Sequence, residues 1–108
     1  MQADAPPAAA LSVELADQPM DCAVSPSAAL IASGLINGQL MLHNYTCSGP
    51  AWTAEPQWTV ASKTACRAVA FSDSGQLAFG GYKNKGISAV DVETGKLLAR
   101  WKQVIHGY

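Results

Sequence analysis

The sequence predicts an all-β chain: two tandem four-stranded antiparallel units, with no crossover helix. Three observations predict it. No stretch of about a dozen residues keeps the 3.6-residue apolar period of an amphipathic helix. Gly, Asn, Asp, Ser and Pro interrupt the chain at short intervals and leave apolar runs of strand length. The second half also repeats the first. Displaced by 47 positions, Ser25 falls on Ser72, Leu30 on Leu77, Gly34 on Gly81, Asn37 on Asn84 and Leu40 on Ile87, without a gap from 23 to 44.

The elements can be taken in chain order. Residues 1–10, rich in Ala and Pro, read as a disordered leader. Strand candidates are 11–15, 20–25, 30–34, 39–43, 57–61, 66–72, 77–81, 86–91 and 97–102. Between 30–34 and 39–43 stands Asn37-Gly38, a dipeptide that accepts the positive φ values of a type I′ hairpin. Asp73-Ser74-Gly75, Asn84-Lys85-Gly86 and Glu93-Thr94-Gly95 are turn chemistry of the same kind. Four short strands repeating every 40–45 residues or so mark a propeller blade. The offset of 47 is slightly long, and the surplus is assigned to a loop over 48–56. The expected organisation is a leader (1–10), a first blade (11–61), a second blade (62–105) and the opening of a further repeat (106–108).

Composition narrows the function. At 108 residues the chain holds one small domain, and 49% hydrophobic against 14% charged residues favours a packed core. The formal charge of −1 excludes a strongly basic nucleic-acid binder, yet the charges are sorted. Residues 1–62 carry five acids and no Lys or Arg, and residues 63–108 carry all seven basic residues with three acids. An acidic partner would therefore be met by the second half. The longest apolar run, 28–36, is half a membrane span and is interrupted by Ser33 and Gly34. No secretory or transit signal opens the chain, which leaves nucleus or cytoplasm as the expected compartment. Cys22, Cys47 and Cys66 are too widely spaced for a metal pair.

Catalysis has little to stand on. The only histidines are His43 and His106, and no nucleophile elbow, HExxH or phosphate-binding Gly loop occurs. Asp21 beside Cys22 lacks a positioned base, and Cys66, opening an apolar strand, reads as a small buried residue. No catalytic residue, metal or cofactor is expected.

At this point the residues resemble the WD-repeat β-propeller family. The stretch from Ala65 through Ala70-Phe71-Ser72-Asp73 to Leu77 is similar to the family's first strand, turn and second strand. Ile87 to Leu97 is similar to its third strand, with Asp91-Val92-Glu93-Thr94-Gly95 as the turn after that strand. The likeness runs over about residues 12–107. There are departures. His43-Asn44 and Val90-Asp91 stand for the strand-closing Trp-Asp, Asn37 and Asn84 for the turn Asp, and no His precedes either first strand. The family's buried polar tetrad therefore cannot form in its usual version, and the blades are expected to rely on apolar packing. His106-Gly107 resembles the opening of a third repeat. Since closed propellers need about 4–8 blades, the chain reads as an N-terminal piece.

The resemblance implies a non-catalytic scaffold that binds other proteins through its propeller faces. Within the family it points to a nuclear, often nucleolar group supporting ribosomal RNA production and ribosome assembly, with pre-ribosomal factors as partners and direct RNA contact left open. The alternative it implies is a substrate receptor of a cullin-type ubiquitin ligase; an enzymatic propeller ranks third. No membrane contact is expected. Candidate partner-binding residues are Trp52, as an aromatic anchor in the 48–56 loop, and the cations Lys63, Arg67, Lys83 and Lys85. The competing reading of the lysines is a solvated turn. Trp58 and Trp101 are assigned to packing between blades, and His43 to a structural role.

Overall fold

The computed structural model describes residues 13–48, 51–83 and 86–102. Eight strands form: β1 (Pro19–Val24), β2 (Leu30–Leu35), β3 (Gln39–Ser48), β4 (Ala51–Ala61), β5 (Cys66–Phe71), β6 (Leu77–Tyr82), β7 (Gly86–Asp91) and β8 (Leu97–Lys102). They make two four-stranded sheets, β1-β2-β3-β4 and β5-β6-β7-β8, antiparallel throughout. No helix among the described residues is long and apolar enough to cross a membrane. Leader residues 1–10 and the expected repeat opening at 106–108 lie outside the described residues.

The repeat read from the sequence is a repeat of hydrogen bonds. Ala23 faces Ala32 and Ala32 faces Leu42 in the first sheet; Ala70 faces Phe79 and Phe79 faces Ala89 in the second. The bulge between Pro19 and Asp21 returns between Cys66 and Ala68, and that between Leu42 and His43 returns between Ala89 and Val90. Loop bonds repeat as well. Ser25 N–H donates to Leu30 O as Ser72 N–H does to Leu77 O, and Tyr45 N–H to Ala29 O as Val92 N–H does to Gln76 O.

Three expectations change. The strand expected over 11–15 does not form at 13–15, the described part of it. Val13 and Glu14 instead border a recess with Met41, His43, Ala54 and Pro56, against the face of the first sheet. A sheet face has already used its backbone groups in the ladder, so a segment lying there finds nothing to pair with. The 48–56 loop is also replaced: β3 and β4, at 10 and 11 residues, continue pairing out to Ser48 and Ala51. The surplus of the first repeat lengthens a hairpin, since β7 and β8 have 6 residues each.

The third change concerns the turn at Asn37-Gly38. Gly38 N–H donates to Leu35 O at 3.0 Å, which makes Ile36 and Asn37 the central residues. Gly38 comes next with φ of 95°, so the loop is a three-residue turn closed by a left-handed glycine and not a two-residue type I′ loop. Asn37 Oδ1 accepts from Gln39 N–H at 3.0 Å and holds the bend.

One face of each sheet packs on the other. Alternation along the strands places Ala32, Leu40 and Leu42 of the first sheet against Cys66, Val69, Ala78, Tyr82 and Val90 of the second, all buried. The sheets approach most closely along β1, β2 and β5. Gly34 makes this approach feasible: a Cβ there would stand 2.7 Å from Cys66 Sγ and 2.8 Å from Cys66 O.

Candidate functional site

Among the described residues, three hydrogen bonds between groups far apart in the chain pin the seam between the sheets. Asp21 Oδ2 accepts from Val69 N–H at 2.9 Å, on the outer side of the edge strand β5. Ser27 Oγ donates to Ser74 O at 3.0 Å, joining equivalent loops of the two repeats. Trp58 Nε1–H donates to Val92 O at 2.8 Å, tying β4 to the turn after β7. Trp58 thus packs between the sheets, as its assignment required, and is part of the core's border.

In place of the family's tetrad, the second sheet holds one buried polar pair. Tyr82 Oη and Ser88 Oγ stand 2.9 Å apart on neighbouring strands, and both residues are buried. Burial raises the Tyr82 phenol above its ordinary range, keeping it protonated. Cys66, beneath it, is fully buried, and burial pushes its thiol up to about 11. At neutral pH it is a thiol, a poor nucleophile, which agrees with the structural reading. His43 is also buried, with Nδ1 unpaired, and burial holds its pKa below the ordinary imidazole value. No group of three or more metal-ligating side chains occurs among the described residues.

Antiparallel order gives the seam two ends of opposite character. At one end lie the β1–β2 and β5–β6 loops and the β7–β8 turn, around a cleft of about 580 Å³. Its lining includes Ser27, Gln57, Ser74, Gln76, Asp91 and Glu93. Asp91 is occupied, since its Oδ2 accepts from Thr94 N–H at 3.1 Å and from Thr94 Oγ1–H at 2.6 Å. At the other end lie the β2–β3 turn, the β4–β5 link (62–65) and the β6–β7 turn. Here a smaller recess of about 270 Å³ is bordered by Ser62, Lys63, Tyr82, Arg100, Trp101 and Lys102.

The candidate residues distribute unevenly over these ends. Lys63 and Lys83 meet at the link end, where Lys83 N–H donates to Ala65 O at 2.9 Å and both side chains are exposed. Arg67, second in β5, is exposed beside them. Lys85 lies outside the described residues. Trp52 is far away: it belongs to strand β4, not to a loop, and sits at the tip of the long hairpin. Its ring is tilted against Tyr45 with centroids 6.0 Å apart, and it remains 39% exposed. Ten residues of extended β4 separate it from the link, about 30 Å. Sequence reasoning misses Arg100 and Lys102. Their spacing of two on β8 is the available signal, because it places both on one side of a strand.

Each sheet also turns one face away from the seam. The seam face of the first sheet has its repeat equivalent in Phe79, Ile87 and Ala89, which point away from it. Ile87 is 46% exposed there, and its ladder neighbour Trp101 is 51% exposed. Trp101 therefore does not pack between the two described sheets. On the opposite side, Val24 of β1 is 60% exposed. The sheets stack in the same sense, front to back, with one front and one back turned away from the seam.

Comparison with known proteins agrees with this geometry. No protein-family model matches the chain. It is 37% identical over 78 residues to WD repeat-containing protein 55 of Homo sapiens, covering 72% of this chain and 20% of that protein. The protein of the same name from Arabidopsis thaliana is 39% identical over 74 residues, covering 68% and 20%. WD repeat-containing protein JIP5 of Malassezia globosa is 30% identical, covering 84% and 25%. The chain thus spans a fifth to a quarter of the length of these relatives. Among solved structures, the C-terminal WD40 domain of Sif2 matches with a TM-score of 0.68 at 18% identity, over 78% of this chain and 25% of that one. The fold is therefore two propeller blades, and among the described residues the ring is open.

Proposed function

Because this chain belongs to the WD-repeat family, we propose that it contributes two blades to a non-catalytic protein-interaction scaffold, nuclear and nucleolar, acting in ribosomal RNA production and ribosome assembly. The supporting observation is the division of labour in the blades. Ladders and a close-packed apolar seam hold the strands, while the chemically distinctive side chains are exposed at the two ends of that seam. Rigid strands presenting variable ends suit recognition of other proteins. The buried ionisable groups, Cys66, Tyr82 and His43, are shifted toward their neutral forms and are not arranged as an acid–base pair.

The nucleolar assignment rests on the sequence resemblance and on the relatives that share it. The test is affinity capture of the full protein carrying this chain from nuclear extract, with imaging of a tagged copy and measurement of ribosomal RNA precursors after its depletion. Pre-ribosomal factors, nucleolar localisation and accumulating precursors are the expected results. Capture of a cullin and its propeller-shaped adaptor, with precursors unchanged, selects the ubiquitin-ligase alternative.

A further inference from the structure

We propose that the recess at the link end of the seam is a binding site for an anionic peptide side chain, a phosphorylated residue or closely spaced carboxylates, on a partner protein. This rests on the interaction-scaffold reading and names the chemistry one of its sites selects. The recess draws cations from separate segments: Lys63 from the link after β4, Arg100 and Lys102 from alternate positions of β8. The ladder sets Arg100 opposite Ser88 and Lys102 opposite Gly86, so both flank β7, whose Ser88 bonds Tyr82 of β6 on its other side.

No carboxylate borders the recess, and none of the three cations is held in an ion pair among the described residues. Three like charges around one hollow repel one another, and an incoming anion relieves that repulsion while forming charge-assisted hydrogen bonds, bidentate in the case of the guanidinium.

A peptide fits better than nucleic acid. The volume of about 270 Å³ accommodates a side chain or two, and the cations form a spot and not a stripe along which a phosphate backbone would run. Asp17 and Asp21, at the β1 end of the neighbouring blade, would oppose an extended polyanion.

The experiment is fluorescence polarisation with the 108-residue chain and degenerate peptides carrying a central phosphoserine, glutamate pair or serine, in parallel with polyuridylate. Phosphoserine or glutamate peptides should bind at least tenfold more tightly than serine peptides, with affinity falling as salt rises. Whichever of the two binds identifies the source of the charge. The triple variant Lys63→Gln, Arg100→Gln, Lys102→Gln should lose tenfold or more, while Lys96→Gln, exposed in the β7–β8 turn at the opposite end of the seam, should lose less than twofold. Circular dichroism verifies that the variants fold. Equal affinity for anionic and serine peptides, an unchanged triple variant, or preference for polyuridylate would overturn the proposal. Capture from nuclear extract separates the two readings. If the scaffold reading fails, parental and triple-variant proteins both return empty; if only the recess fails, both return the same partners.

Discussion

The two blades share one ladder but not one environment. Leu40 of the first is fully buried at the seam, and its repeat equivalent Ile87 is 46% exposed. Gly34 is crowded by Cys66, whereas the nearest atom to a Cβ on its equivalent, Gly81, is Ala68 Cβ at 3.4 Å. Identical positions in the repeat thus carry different energetic weight according to whether a neighbour is stacked on them. The polar interior differs as well. Tyr82 and Ser88 are bonded in the second blade where the first has Leu35 and Met41, and His43 of the first, its Nδ1 unpaired, matches fully buried Val90 of the second.

The largest contrast is expected from truncating equivalent apolar residues. Leu40→Ala should cost about 2–5 kcal/mol, and Ile87→Ala no more than about 1 kcal/mol, measured by urea denaturation. Equal losses would mean that both faces are covered. The outer face can be probed from the other direction: Ile87→Lys should leave stability within about 0.5 kcal/mol while reducing concentration-dependent association in sedimentation.

The glycine pair sharpens the same comparison. Gly34→Ala must push Cys66 or the whole second sheet away, at about 1–3 kcal/mol. Gly81→Ala, with ordinary contact distance available, should be tolerated or slightly favourable in the same assay. A Gly81→Ala variant as damaged as Gly34→Ala would show a neighbour on the outer face.

Smaller effects come from the polar interior. Tyr82→Phe leaves buried Ser88 without its partner and should cost about 1–2 kcal/mol, with Ser88→Ala in the same variant recovering part of it. His43 supplies a pH dependence. Its folded pKa is depressed, so below the ordinary value of about 6.5 the unfolded chain binds more protons than the folded one, and stability falls as pH falls. The urea midpoint should drop between pH 7.5 and pH 5.5, and His43→Gln should flatten that part of the profile. A midpoint rising toward acid would refute the assignment.

Much of the fold is legible in the residues. Strand positions 86–91 and 97–102 coincide with β7 and β8, and the 47-residue offset reappears bulge for bulge because a ladder is a local, periodic object. Departures arise where local pattern does not decide. Pro50 and Pro56 argue for a loop, but Pro56 sits opposite His43 at the hairpin's irregular register on an edge strand, where a missing N–H costs little. The run at 11–15 has strand composition, yet its described part lies on a face, where no ladder is open to it. Lys63 and Lys83 stand out in the sequence as cations near turns, whereas the recess that joins Lys63 to Arg100 and Lys102 depends on how β8 returns past the link.

By itself, then, the amino-acid sequence determined the all-β class, the tandem repeat, the turn positions and the family, all properties set by spacing within a few residues or by self-similarity. Only the tertiary structure decided which face of each sheet is covered, where the surplus residues of the first repeat go, and which cations share a recess. The reason is geometric. A period of two assigns side chains to a face but does not say what that face meets, and the meeting brings together groups about 40–50 residues apart, such as Asp21 with Val69 and Ser27 with Ser74.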